Sequence, residues 1–455
     1  MKFKKSGQIL LALVVSLGLC LSVTSCTVDF TVAYLYVTGA QYNQIGAFKI
    51  SNNTGNLTAI PGSPFGSGGT DPIRELVSST GRYLYILNAG SIQSDGTYGG
   101  GNVAVFSVGG NGVLAPQQTY TSQGNGSIRF ALSSTGSFLY VLDQYAPVAG
   151  AQIVASGSPS NNGTPANPTA VGPGTNFPCP DPTATNEWHP VGDITAFSVN
   201  TNTGRLSLIT NNQQTDASGT QLTYFPVGCN PIDFKVSAAF IFTADAGPEP
   251  ATANFASQNV QTIFEYAVNA TNGQLTLTQN TELVTGATKI SNLGADSASR
   301  YIYVLDTGAN QIYSYTIGSN GVLQSITDSP FPNTQSLSGN PLSLTSDSKS
   351  KFLYLANAGP SSTVGQANSQ ISGFTIATNG VLAQISGAPF PTGSSPQCIL
   401  EDPSNQYLYT ADFISSTVTG HVLDPNSGVL TDLRNKTSYA TVGNPTWCVA
   451  SGHTD

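Results

Sequence analysis

Seven short, mostly apolar segments of this 455-residue chain each carry one distinctive residue at the same place. Five of the segments open on Pro, at positions 72, 231, 341, 396 and 445. Two places after the Pro position stand Arg74, Arg129, Asp233, Asn292, Ser343, Cys398 and Trp447, of which five are polar or charged. Only six Arg follow residue 26, and two of them share this slot. A buried charge needs a counter-charge or a ligand. Two readings follow. Arg74 and Arg129 pair with Glu75 or Asp233 as structural glue. Alternatively, they form a site for a small anion, since a guanidinium offers a planar fork to carboxylate or phosphate. Asn292, Ser343 and Trp447 would line the same ring of ligand-binding positions. Hydrolysis there would require a base to activate water, and Asp233 and Glu75 are the best-placed carboxylates.

Other chemistry finds little support. His189, beside Glu187 and Trp188, lies in a long loop, His421 lies in an apolar segment and His453 is near the end. An isolated loop His is usually just solvated. There is no Gly-x-Ser-x-Gly elbow, His-Glu-x-x-His pair, Cys-x-x-Cys pair or phosphate-binding Gly-Lys-Ser/Thr loop. No EF-hand spacing appears either. Neither a metal nor a cofactor is expected.

The elements that position these residues are read from a repeat. A phrase beginning Tyr34-Leu35-Tyr36-Val37 returns at Tyr83, Phe138, Phe240, Tyr301, Phe352 and Tyr407. Seven copies about 50 residues apart match the length of a four-stranded propeller blade. Each copy is apolar at successive positions, so both faces of the strand must be covered, as when blades stack around an axis. The slot segments form the inner strands before each phrase. Third strands such as Val103–Phe106 follow, and then Gly turns such as Asn111-Gly112-Val113-Leu114 lead to the outer strand. Gly supplies the positive φ of a tight turn. The first copy lacks an inner strand, and Gly443–Ser451 is an inner strand with nothing after it. Pairing the two closes one ring and removes two exposed edges. The expected fold is all-β: a seven-bladed β-propeller of four-stranded antiparallel blades, spanning 33–455 as a single domain.

The Tyr-Val-Thr phrase at Tyr36, the Pro-led inner strands and the Thr-Gly-x-Leu turns resemble the YVTN-repeat and lactonase propellers, which include 6-phosphogluconolactonase-like enzymes. The resemblance covers essentially all of the chain after its leader and implies the propeller. It also raises lactone hydrolysis as an alternative to ligand or protein binding, with a structural role in an envelope assembly as a third reading. Relatives can carry a His in a Pro-Arg-His phrase on the inner strand. No inner strand here has one, so no catalytic residue is carried over from the family.

Residues 1–26 stand apart. Lys2, Lys4 and Lys5 precede an apolar stretch from Ile9 to Leu21, too short to span a membrane comfortably. It runs into Val23-Thr24-Ser25-Cys26, which resembles the bacterial lipobox. That resemblance puts a lipid on Cys26, makes residues 27–32 a short tether and places the protein in the bacterial cell envelope. Beyond the leader, twelve basic residues face 24 acidic ones. Such a surface repels nucleic acid and anionic head groups, leaving the lipid as the membrane contact. The expected partners are a small anionic or lactone ligand or an envelope protein, and the expected state is a monomer.

In an antiparallel blade the loops after the second and fourth strands share one face. Long loops at about 89–101, 144–192, 246–259 and 358–369 all fall after second strands, making that the binding face. The 144–192 insertion, rich in Pro, Gly, Asn and Thr, reads as a lid. Four Cys remain beyond Cys26, an even number that favours disulfides in an exported chain. Cys179 in the long loop and Cys229 before the next inner strand make one pair. Cys398 and Cys448, in inner strands of adjacent blades and one step apart in register, make the other. The alternative for the second pair is two small buried thiols.

Overall fold

The computed structural model describes residues 30–452 apart from 93–97, 100, 148–178, 181–187, 190, 216–218, 247–260, 279–282, 285, 335–339 and 360–368. Residues 1–29 with Cys26, Glu187 and His453 lie outside the described residues, as does most of the 144–192 insertion. Seven antiparallel sheets follow one another, and the seven inner strands neighbour each other in order until the last meets the first. This is the seven-bladed propeller. In blade one, Thr31–Gly39 pairs on one side with Gln44–Ser51 and on the other with the C-terminal strand Pro445–Gly452, which closes the ring. Blade two runs Pro72–Val77, Tyr83–Asn88, Asn102–Val108 and Leu114–Tyr120 from the axis outward. Blade three uses Asn125–Leu132, Phe138–Tyr145, Asp193–Val199 and Leu206–Leu208. In every blade except the second, a further short strand such as Phe331–Pro332 also pairs with the third strand.

The core is divided among seven seams, each an apolar cluster drawn mainly from two successive blades. The second strands are apolar on both sides because both sides are covered: Tyr301–Asp306, Phe352–Asn357 and Tyr407–Asp412 are buried along their whole length.

The repeated Tyr has a specific partner. The Tyr36 hydroxyl donates to the Gly112 carbonyl in the next blade at 2.9 Å. Tyr85 donates to Gly204, Tyr140 to Gly273, Tyr354 to Gly428 and Tyr409 to Gly55. Each acceptor is the turn glycine between third and outer strands, with φ between +68° and +81° at these five. The ring of the preceding blade packs where a Cβ would stand: at Gly112 such an atom would lie 2.5 Å from Ile60 and 2.6 Å from Tyr34. The phrase and the turn are thus two halves of one contact between blades. Phe242 occupies the Tyr place in blade four and has no hydroxyl to donate, and the Tyr303 hydroxyl of blade five is buried without a hydrogen bond.

The disulfides pair as Cys179–Cys229 and Cys398–Cys448, with Cα–Cα distances of 5.7 and 5.8 Å. The first fastens the long insertion of blade three to the segment before the blade-four inner strand, inside a small cluster with Ala146, Val191, Leu222 and Tyr224. The second joins blade seven to blade one beside the ring closure.

Candidate functional site at the channel mouth

The slot is a backbone feature before it is a chemical one. In all seven inner strands the pairing register shifts by one residue just before it, between Pro72 and Arg74, Ser127 and Arg129, Pro231 and Asp233, and at the equivalent places in the other blades. A bulge of this kind inserts one extra residue and re-aims the side chain that follows. It recurs at the looped end of each inner strand, where Arg74 lies opposite Leu87, one residue before the end of the second strand. The backbone is therefore seven-fold while the side chains are not.

The offset between blades follows from the disulfide. Cys398, in the slot of blade seven, bonds Cys448, one place after the slot of blade one. The same offset holds in blade four, where the Leu293 N–H, one place after the slot of blade five, donates to Asp233 Oδ2 at 2.7 Å. Glu75, one place after its own slot, therefore faces blade one and not Arg74. It is fully enclosed beside Thr38 and Val449, and burial pushes its carboxyl well above the usual range although those two backbone groups favour the anion. Phe130, Phe234, Leu293, Leu344, Ile399 and Cys448 occupy the equivalent place elsewhere.

Arg129 and Asp233 are brought together. Arg129 Nε donates to Asp233 Oδ1 at 2.8 Å, with Asp233 almost fully buried and Arg129 partly open to the channel. The carboxylate also accepts the Phe234 N–H at 2.9 Å. With three N–H donors in place, Asp233 is a settled counter-charge more than a free base. Arg129 Nη1 donates to the Ile128 carbonyl at 2.9 Å.

Arg74 has no carboxylate in ion-pair range among the described residues. Its Nη1 donates to the Ile73 carbonyl at 2.8 Å, and its guanidinium stacks 4.0 Å over the Trp447 ring. Burial and the nearby Arg129 charge push its pKa well down, and Asp233 offsets this in part. Arginine still holds its proton under such conditions. The result is a charged fork kept at the mouth against burial and repulsion.

Slot residues from blades five to seven do not join it. Asn292, Ser343 and Cys398 are at most 6 % exposed, shut into the seams. One cation was missed by sequence reasoning. Lys235, two places after the blade-four slot, lines a cavity of about 230 Å³ with Val236, Ala295, Asp296 and Ser346. Burial lowers its pKa, with Asp233 acting in the opposite sense. Its alternation with Asp233 on one strand was the available signal. Three basic side chains, Arg74, Arg129 and Lys235, thus stand on the inner strands of blades two to four, with Asp233 as the one carboxylate in ion-pair contact with any of them among the described residues. His421 is buried on the third strand of blade seven, where burial pushes its imidazole pKa down despite Asp432 at 3.9 Å. The backbone at His189 pairs with Cys179.

Comparisons agree with this architecture. The family described as "Lactonase, 7-bladed beta-propeller" matches residues 28–150 and 335–450, together just over half of the chain. No curated protein matches the chain in sequence. Among solved structures, a periplasmic gluconolactonase from Pseudomonas aeruginosa is similar, with a TM-score of 0.62 and 13% identity, over 93% of this chain and 100% of that one. A provisionally assigned 6-phosphogluconolactonase from Bacteroides uniformis has a TM-score of 0.62 and 13% identity, over 92% of this chain and 100% of that one. Identities this low speak to the fold alone. On the matching family, the closed ring of seven blades and the repeated phrase, this chain belongs to the lactonase family of seven-bladed β-propellers.

Proposed function

We propose that the protein binds a small carboxylated or phosphorylated ligand at the looped mouth of its channel, with Arg74 as the anchor and Arg129 beside it. The observation that carries this reading is the unpaired Arg74 guanidinium, kept charged over Trp447 and close to a second Arg. A bidentate anion would supply the missing counter-charge in an environment of reduced dielectric, where it counts most. The surrounding chain is acidic, so the local excess of positive charge is a feature of the site and not of the surface as a whole. Export and anchoring through a lipid on Cys26 belong to the same reading, and the two disulfides support an oxidising compartment.

Membership of the lactonase family favours a second reading, hydrolysis of a sugar lactone at the same mouth. The charge pair would then hold the substrate, and Asp233 is the carboxylate there to activate water. Its three hydrogen bonds weigh against it as a base. Purified protein should therefore be tested against a panel of sugar lactones and their open carboxylates, measuring binding by calorimetry and hydrolysis above the spontaneous rate. Saturable binding of carboxylates without turnover supports the binding reading. Turnover supports the second reading, and neither binding nor turnover of any member would defeat both.

A further inference from the structure

At the looped end of each second strand, one residue faces the first residue of the third strand; it is the strand's last residue in every blade but the third, where the strand runs on to Tyr145. In six blades at least one member of this facing pair is uncharged. Gln311 Nε2 donates to Asp306 Oδ2 at 3.3 Å, Thr417 Oγ1 donates to Asp412 Oδ2 at 3.1 Å, and Asn88 Nδ2 donates to Asn102 Oδ1 at 3.0 Å. Blade three is the exception. Asp143 faces Asp193, carboxylate against carboxylate, and both residues are 0% exposed.

The neighbours do not resolve the conflict. Ser122 and Ser127 donate their hydroxyls to Asp143. Thr195 Oγ1 lies 3.4 Å from an oxygen of each acid and has one proton to give. Asp193 Oδ1 is buried without any hydrogen bond. It faces the niche left by Gly124: a Cβ built there would collide with Asp193 Oδ1 and lie 2.8 Å from the Tyr145 carbonyl oxygen. Asp193 Oδ1 and the Tyr145 carbonyl oxygen thus share the enclosed space beside Gly124, while the Ser122, Ser127 and Thr195 hydroxyls gather at Asp143. No group of three or more His, Cys, Asp or Glu arranged to hold a metal ion occurs among the described residues, so the donors here would be two carboxylates with hydroxyl and carbonyl oxygens.

We propose that Asp143 and Asp193, with the Gly124 niche and the Thr195 and Tyr145 oxygens, form a site for a divalent cation of the calcium class. Two carboxylates balance its charge, and hard oxygen donors suit it. An enclosed site favours calcium over magnesium, which keeps much of its water. The position gives the ion a task. The long insertion begins at Gln144 and ends at Gly192, immediately after and before the two acids in sequence, so the ion would clamp the base of that insertion.

The test uses the purified full chain after treatment with chelator, titrated with calcium and separately with terbium as a luminescent reporter. The expected result is saturable binding of one ion per chain, with a higher Tm in calcium than in chelator. Asp193→Asn places an amide opposite the acid, as blade five does with Gln311 opposite Asp306, and should weaken binding about tenfold or more because a ligand charge is lost. Its Tm should no longer respond to calcium. Should that variant fail to fold, Asp193→Thr copies blade four and serves the same purpose. If the parent protein shows no saturable binding and the same Tm in calcium and chelator, the proposal is overturned and the pair shares a proton instead. A folded variant that binds as tightly as the parent also overturns it, because the ion then sits elsewhere.

Discussion

The seams between blades and the slots around the channel are both repeated seven times, yet they treat their side chains oppositely. In the seams, backbone and side chain repeat together: an aromatic ring from one blade fills the space over a glycine of the next. In the slots only the backbone bulge repeats, and its residue changes from Trp to Arg, Asp, Asn, Ser and Cys around the ring. A contact that every blade needs in order to stack is held to one solution. A position that stacking does not use can carry charge, a covalent latch or a ligand. Asp233 and Cys398 show the first two uses, since one neutralises its neighbour and the other bonds across the ring closure. Arg74 has neither role and remains available.

The comparison can be broken most severely at Arg129. Arg129→Met removes the counter-charge of a nearly enclosed carboxylate, and denaturant unfolding should show a loss of about 3–5 kcal/mol. A loss below 1 kcal/mol would mean that Asp233 finds another partner. Gly112→Ala tests the seam itself. Its positive φ and the crowding by Ile60 and Tyr34 together should cost about 2–4 kcal/mol in the same measurement. Full parent stability there would mean that the ring-over-glycine contact is not tight.

Glu75 is a seam residue that departs from the apolar rule, and pH exposes it. Its folded pKa is raised, so its neutral form contributes stability that is complete below the ordinary value of 4.5 and is lost as pH rises above it. Glu75→Gln should therefore raise Tm at pH 8 and leave it nearly unchanged near pH 4.5. Equal effects at both values would place the charge of Glu75 elsewhere. The smallest effects separate two tyrosines of the same phrase. Tyr354→Phe should lose about 1 kcal/mol with its bond to Gly428, whereas Tyr303→Phe should be neutral or slightly stabilising because its hydroxyl has no partner. Equal losses would show that the hydroxyl bond is not what the repeat preserves.

The ring was legible because a seam contact repeated seven times leaves a regular trace in sequence: the aromatic phrase, the turn glycine and the unpaired ends at Thr31–Gly39 and Pro445–Gly452. Both disulfides were legible too, one from shared position on the looped face and one from strand parity. The slot could be aligned from Pro positions, but the bulge before it could not be seen, and the bulge decides where the side chains go. Sequence spacing thus left Glu75 and Asp233 as equal partners for the arginines, while the structure sends Glu75 into a seam. Lys235 escaped notice because it belongs to the channel wall below the slot. The Asp143–Asp193 pair was hidden because the 49 residues of the long insertion separate two neighbours in the sheet.

The central claim is that Arg74 is the free charge of the channel mouth and Arg129 the bound one. It is tested most directly by measuring the binding of gluconate and inorganic phosphate, alongside thermal unfolding, in Arg74→Met and the parent. Met keeps the apolar stem against Trp447 and removes only the fork. The account predicts that Arg74→Met loses anion binding while its Tm stays within a few degrees of the parent or rises, since a buried repulsion is relieved. A variant that binds both anions like the parent, or one that unfolds as readily as Arg129→Met, would contradict it.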